Sequence, residues 1–406
     1  MFEHLKEYFD YKALLICLCL VAVGLLSVYS ATYDVGAAAA FEKQLVWAGF
    51  GLAALVLSAL FPLKTLQRIT LPLYIATIGV LLAILVIGHS VAGSKSWIGV
   101  ARGFGGQPSE FAKVTTVLAL AAFLARTGIS LSNPKHLMLA IGIVVLPMVL
   151  ILAEPDLGTS VVFFLTLLPV LYWAGASNFV LAAIFAPLIA AAGALFGTVV
   201  FLVSLIISGA LLYATRRNRF AAAVAFALTL AVGLSVQAVY ERLPAYQQKR
   251  ISTFINPGSE QKGAGYNVYQ SKVAIGSGGF FGKGYLQGTQ TQLNFIPEQW
   301  TDFIFCVPGE EFGFVGASIV IGLFAGLLLH GLNIASFSKN KFASAASIGI
   351  TGIFGVHVLI NVGMSMGLLP VIGIPLPFLS YGGSALVANM SMVGLMMNFY
   401  SNRKEH

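Results

Sequence analysis

Apolar residues fill this chain in runs of about twenty, broken by short polar or glycine-bearing stretches, and about twenty apolar residues are what a helix needs to cross a bilayer. The runs predict spans at roughly 12–32, 45–62, 69–90, 108–126, 136–153, 157–174, 179–194, 196–214, 220–240, 303–334, 343–367 and 382–400. Lys6 and Lys12 precede the first apolar core as in a signal peptide, but no small-x-small cleavage site follows, so the segment is expected to stay as an anchor. The stretch 179–214 reads either as one long tilted helix or as a hairpin broken near Gly193 and Gly197; two crossings keep the charge pattern consistent, which favours the hairpin.

The longest interruption, about 241–302, is too long for a plain connection. Tyr246, Phe254, Tyr266, Tyr269, Phe280 and Leu293 give it apolar anchors, and 265–275 is expected to form an interfacial helix with Tyr266, Tyr269 and Val273 on one face. The densest polar and glycine-rich stretch of the chain begins at Gly276 and runs to Glu311, and it reads as a loop carrying chemistry at a membrane surface. Its glycines permit positive φ and close backbone approach, so that N–H groups can face an anion; a flexible hinge is the alternative.

Composition makes the class firm. With 58% hydrophobic and 9% charged residues, and a mean hydropathy of +0.88, the chain departs far from soluble domains, where about 25% of residues are charged. The expectation is an all-α integral membrane protein: a polytopic bundle of about twelve transmembrane segments with one large external loop, residues 1–406 forming one membrane domain. The net charge of +8 does not point to nucleic acid, because cytoplasmic loops of membrane proteins collect Lys and Arg. With the N-terminus inside, Lys64, Arg68, Arg126, Lys135, Arg216, Arg219, Lys339, Lys341 and Arg403 all fall on the cytoplasmic side. Both termini are then cytoplasmic and the 241–302 loop external. Cys17, Cys19 and Cys306 lie in apolar runs and imply no disulfide framework, and the six histidines are scattered with no metal cage among them.

Ionisable residues near the spans are functional candidates by default. Glu110 and Lys113, three apart at the start of the fourth span, are placed to pair, either as a self-neutralising bridge or as part of a binding site. Glu154 and Asp156 bracket Pro155, with Asp156 placed to cap the sixth span. Asp302 stands at the mouth of the tenth span, where spacing alone favours an N-cap for a helix starting at Phe303, with Thr301 sharing the task.

Several motifs then stand in a family's order along nearly the whole chain. They are Gln107-Pro108-Ser109-Glu110 with Lys113, Glu154-Pro155-Asp156-Leu157-Gly158-Thr159, Gly276-Ser277-Gly278-Gly279, Gly282-Lys283-Gly284, Gly288-Thr289-Gln290, Pro297-Glu298 with Thr301-Asp302-Phe303, and Pro375-Leu376-Pro377 with Ser380 to Ser384. Each is weak alone; together they resemble the SEDS family (shape, elongation, division and sporulation) of peptidoglycan glycosyltransferases, and its elongation members in particular.

The resemblance implies polymerisation of lipid II into β-1,4 glycan strands for cell elongation and shape, in the bacterial inner membrane, with a class B penicillin-binding protein as transpeptidase partner. It implies that Asp302 is the essential acidic residue. A carboxylate there can deprotonate an attacking sugar hydroxyl while undecaprenyl pyrophosphate departs. Glu110, Lys113, Trp97, Lys283, Gln290, Glu298, Thr301, Ser380 and Ser384 are the expected substrate-binding residues, with Lys113, Lys95, Arg102 or Lys283 offsetting pyrophosphate charge. Trp97 either stacks on a sugar or anchors at the interface. A divalent cation, Mg²⁺ or Mn²⁺, would bridge carboxylate and pyrophosphate, and no organic cofactor is expected.

Three positions depart from the family pattern. Ser96 stands where Arg is usual, Trp300 where His is usual, and about 179–219 adds a probable hairpin to the ten family spans. Two other functions remain open on the sequence: a lipid II flippase using Glu110 and Lys113 as a translocation path, and a non-enzymatic scaffold of the wall-synthesis complex.

Overall fold

The structure, a computed structural model, describes residues 9–33, 37–87, 89–91, 94–100, 104–216, 218–243, 245–255 and 264–404. Membrane-length helices alternate with short turns: α1 (Tyr11–Tyr33), α2 (Ala38–Leu60) and α3 (Leu63–Ile87), then α4 (Pro108–Leu124), α5 (Pro134–Ala153) and α6 (Leu157–Trp173). Next come α7 (Asn178–Leu195), α8 (Thr198–Thr215) and α9 (Arg219–Arg242). The loop carries α10 (Ala245–Ile255), α11 (Ala264–Ser277), α12 (Thr289–Gln292) and α13 (Cys306–Glu311), and the chain closes with α14 (Gly313–Phe337), α15 (Lys341–Ser365) and α16 (Gly383–Ser401). Nine of the described helices are long and apolar enough to cross a bilayer, and α6 is apolar but shorter. The protein is therefore a multi-pass helical membrane protein. With α4, α6 and α16 counted, the helices match the twelve segments of the hydropathy pattern one for one.

Local chemistry explains the boundaries. Pro108 and Pro134 occupy the first turn of α4 and α5, where a missing N–H costs nothing. Asp156 caps α6 as expected, accepting from the Thr159 N–H at 3.0 Å and from its hydroxyl at 2.8 Å. The stretch 179–214 is a hairpin, broken at Gly197, whose φ of +107° suits glycine. Together α7, α8 and α9 form a peripheral unit with its own small core of Ala182, Ala186 and Leu212.

At the opposite extreme stands α15, with 72% of its apolar window buried against 11% for α9. It is the central post, packed on α4, α6 and α14. Small residues let the other helices close on one another, since a Cβ on Gly394 of α16 would lie 2.2 Å from the Leu55 carbonyl oxygen of α2. Hydrogen bonds tie the helix ends into two faces. One joins Asp10 to His330, Gln67 to Asn340 and Lys339 to Arg403. The other joins Ser30 to Glu311, Gln107 to Ser384 and Gln299 to Ala31, and carries the loop.

The structure corrects the expected outline at several points. The tenth span does not begin at residue 303: turns occupy 301–305, α13 ends at Glu311, and α14 starts at Gly313 with φ +64°. The long loop consequently runs to residue 312. A short antiparallel meander, β1 (89–91), β2 (94–100) and β3 (104–106), precedes α4 and was not anticipated. The helix expected over 265–275 is present as α11, with Ser271 and Ala274 as its buried side chains and Tyr269 exposed.

The glycines of 276–284 also do something other than present N–H groups to an anion. The N–H groups of Gly282, Lys283 and Gly284 donate to the carbonyls of Gly278, Glu310 and Glu311, and those of Phe314 and Val315 to Gly279 and Phe280. The run is packed backbone against backbone on α13 and the start of α14. A Cβ on Gly282, where φ is +83°, would lie 2.1 Å from the Glu311 carbonyl oxygen, whereas Gly276 faces open space. Gly282→Ala is therefore expected to cost at least about 2 kcal/mol and to lower the melting temperature of the purified protein. Gly276→Ala should leave it unchanged, and equal melting of the two variants would contradict this packing.

Candidate functional site

Asp302 sits in the turn before α13, and its main chain is held on three successive carbonyls. Tyr381 N–H donates to Trp300 O at 2.8 Å, Ser380 Oγ to Thr301 O at 2.6 Å, and Asn361 Nδ2 to Asp302 O at 2.8 Å. The same Asn361 nitrogen donates to Ile374 O at 2.8 Å, and Ser380 Oγ accepts from Leu376 N–H at 2.8 Å. The loop bearing the carboxylate and the segment between α15 and α16 are thus locked to each other and to the central helix. The N-cap role for Asp302 falls away, because the helix begins four residues later, at Cys306.

The side chain of Asp302 is partly buried beside a cation. A Cβ on Gly373 would lie 3.4 Å from Asp302 Oδ2 and 3.5 Å from Arg250 Nη1, and Gly373 itself has φ +73°. Burial pushes the Asp302 carboxyl up to about 6, the nearby Glu298 carboxylate adds to the rise, and the Arg250 guanidinium opposes it. Glu298 is anchored on the same turn, accepting from Thr301 Oγ1 at 2.9 Å. Arg250 also lines a cavity of about 110 Å³ between α10, α11 and residues 367–371, whose walls include Lys272, Tyr269, Phe254 and Leu369. A carboxylate poised near neutral pH therefore stands next to a small groove with two cations and aromatic walls.

The remaining candidates fall into two other clusters. Lys113 is 2% exposed; its Nζ lies 3.0 and 2.9 Å from the two Glu110 carboxylate oxygens and 2.9 Å from His357 Nε2. Because an ammonium group only donates, His357 Nε2 accepts and its Nδ1–H donates to Pro375 O at 2.9 Å. His357 and Asn361 are one turn apart on α15 and hold the neighbouring carbonyls of Pro375 and Ile374. The Glu110–Lys113 pair is thus a bridge as spacing suggested, and it supports the same segment that orients Asp302.

The second cluster surrounds Glu310, which is fully buried. It accepts from Lys283 Nζ at 2.7 Å, the Gln290 N–H at 2.9 Å, the Thr291 N–H at 3.0 Å and Thr291 Oγ1 at 2.7 Å. Burial raises the Glu310 carboxyl, but these bonds outweigh it and hold it below the ordinary range. The Lys283 side chain and the Gln290 main-chain N–H are therefore engaged in ordering the loop around α12. Ser384 Oγ accepts from the Gln107 N–H at 3.1 Å and joins α16 to α4. Trp97 and Lys95 lie on β2, with side chains outside the described residues, as is all of Arg102.

Sequence reasoning missed Arg250, Lys272, His357, Asn361 and Gly373. A signal existed for His357 and Asn361, two polar residues at i, i+4 in a membrane-length helix. Among the described residues, no three Asp, Glu, His or Cys side chains gather as metal ligands. Glu298 offers a carboxylate that would fit an Mg²⁺ or Mn²⁺ ion only together with substrate phosphates.

Comparison with known proteins agrees along the whole chain. The family model FTSW_RODA_SPOVE, described as cell cycle protein, matches residues 8–221 and 189–405. The peptidoglycan glycosyltransferase MrdB of Escherichia coli is 35% identical over 402 residues, covering 98% of this chain and 95% of the relative. The peptidoglycan glycosyltransferase RodA of Treponema pallidum is 36% identical over 427 residues, covering 96% and 97%. Among solved structures, a chain from work on how a peptidoglycan synthase complex coordinates polymerization and crosslinking has a TM-score of 0.75 at 26% identity, covering 98% of this chain and 99% of that one. The crystal structure of Thermus thermophilus RodA shares the fold, with a TM-score of 0.64 at 24% identity over 98% of both chains.

Removing Lys113 alone leaves the Glu110 carboxylate buried without its cation, a change that typically costs about 3–5 kcal/mol. Lys113→Met should therefore melt well below the wild type in detergent, and Glu110→Leu/Lys113→Met should recover much of the loss. A double variant as unstable as the single one would contradict a mainly supporting role for the pair.

Proposed function

The chain belongs to the FTSW_RODA_SPOVE family, and from that membership and its site we infer a peptidoglycan glycosyltransferase that polymerises lipid II into β-1,4 glycan strands. The observation that carries the site assignment is the Asp302 carboxylate, raised to about 6 beside Arg250 on the loop face. Asp302 takes the proton of the acceptor sugar hydroxyl as that oxygen forms its bond to the donor anomeric carbon. The anomeric carbon–oxygen bond to undecaprenyl pyrophosphate breaks in the same displacement. The α-linked donor becomes a β-linked product, so the centre inverts and no covalent enzyme intermediate is needed.

Arg250 and Lys272 are the cations best placed for the departing pyrophosphate. Lys113 is buried against Glu110 and His357, and Lys283 is bound to Glu310. Those pairings support giving Arg250 and Lys272 the charge-offsetting role that the family resemblance suggested for Lys113 and Lys283. A divalent cation held by Glu298 and the substrate phosphates would add charge neutralisation when bound, with Asp302 left to take the proton. The distribution of Lys and Arg supports cytoplasmic termini, with the loop outside and the protein in the bacterial inner membrane. A class B penicillin-binding protein fits as the partner that crosslinks the strands, in keeping with the synthase complex to which the fold is similar.

A translocation path through Glu110 and Lys113 is disfavoured by their surroundings. The cavity beside Lys113 has a volume of about 20 Å³ and its other walls are apolar apart from Thr116 and Thr166. That is room for little more than one water.

Glycan polymerisation from purified lipid II, with the partner transpeptidase present, tests the assignment. Asp302→Asn should lower the rate at least about 100-fold while the fold and partner binding persist. Polymer formed at the wild-type rate by this variant would overturn the role of Asp302.

A further inference from the structure

A cavity of about 770 Å³ opens on the face that holds both described termini, across the molecule from Asp302. It lies between α3, α4, α5 and the turn joining α14 to α15. Leu71, Ala119, Ala122, Phe123, Leu139 and Ile143 make its walls apolar. Its rim is of another character: Arg126 at the end of α4 and Lys339 and Lys341 on either side of the α14–α15 turn all line it, and no acidic side chain does. All three are exposed, and none forms an ion pair among the described residues.

The polar groups deeper in the cavity are already satisfied. Tyr74 Oη donates to Ile143 O at 2.8 Å, Thr70 Oγ1 to Leu66 O at 2.8 Å, and Gln67 Nε2 to Asn340 Oδ1 at 3.3 Å. Asn340 in turn caps α15, so the positive end of that helix faces the rim between the two lysines. The cavity therefore offers hydrocarbon walls, no unfilled hydrogen-bond donors inside, and uncompensated positive charge only at its mouth. Its volume falls within the roughly 300–1,000 Å³ usual for enclosed small ligands.

We propose that this cavity binds an anionic phospholipid of the cytoplasmic leaflet, with the headgroup phosphate on Arg126, Lys339 and Lys341 and acyl chain along Leu71, Leu139 and Ile143. The choice of leaflet rests on the orientation proposed above; the binding chemistry does not. Charge complementarity selects the occupant. Basic clusters between membrane helices attract anionic headgroups, and a zwitterionic lipid would leave net positive charge unbalanced. A lipid seated here bridges α3, α4 and α5 to the foot of α15, the helix that carries His357 and Asn361.

Native mass spectrometry of the full chain, titrated with phosphatidylglycerol or phosphatidylethanolamine, tests the proposal. Wild type should retain phosphatidylglycerol at least about tenfold more tightly than phosphatidylethanolamine. Arg126→Gln/Lys339→Gln/Lys341→Gln should bring the two lipids within about threefold, and Ala122→Trp, which fills the cavity and keeps every charge, should weaken phosphatidylglycerol binding. Lys12→Gln/Arg216→Gln/Arg219→Gln, which removes the same charge outside the cavity, should keep the wild-type preference. The proposal is overturned by a wild type without preference, by an unchanged rim variant or Ala122→Trp variant, or by equal loss in the charge-matched control.

Discussion

The amide of Asn361 donates to two carbonyls at once, those of Asp302 and Ile374, and so ties the long loop to the segment between the last two membrane-length helices. Both bonds start from a fully buried side chain on a helix most of whose residues are buried. In that setting a polar group left without a partner costs more than a made bond contributes, so the two segments are held in one register or the helix is destabilised. Ser380 and Tyr381 add two further bonds to the preceding carbonyls, and the result is a carboxylate on a loop that behaves as part of the scaffold.

The same logic runs through the buried charges. Glu110, Lys113 and His357 close on one another and end at the Pro375 carbonyl, while Glu310 draws Lys283 and the N-terminus of α12 onto itself. Both clusters are internally neutralised and spend their hydrogen bonds on protein groups. Asp302 differs: burial and Glu298 raise it and Arg250 partly offsets them, which leaves it at about 6. The two clusters brace the loop and the segment between α15 and α16, and Asp302 lies beside Arg250.

Much of the fold was legible in the sequence because hydropathy in a membrane is close to a structural rule. The twelve segments, the hairpin break at Gly197 and the Asp156 cap all follow from local chemistry. Motif order pointed to Asp302 and to the family. What spacing could not show was which polar group answers which. The resemblance offered Lys113 and Lys283 as substrate cations, but did not show that their partners, His357 and Glu310, come from far along the chain. Arg250 and Lys272 lie in no distinctive motif, and only the fold of the loop brings Arg250 to the carboxylate and both to one groove. The glycines were read as donors to an anion; their close contacts with α13 and α14 depend on a helix break at Gly313 that an apolar run conceals.

The most direct test is the pH dependence of kcat/KM for glycan polymerisation. A general base must be unprotonated to act, so the rate should rise through an ascending limb near pH 6, where the Asp302 carboxyl titrates. Glu298→Gln removes a neighbouring negative charge that raises Asp302, and the limb should move to lower pH. A profile that is flat from about pH 5 to 8, or a limb that Glu298→Gln leaves in place, would contradict Asp302 as the base.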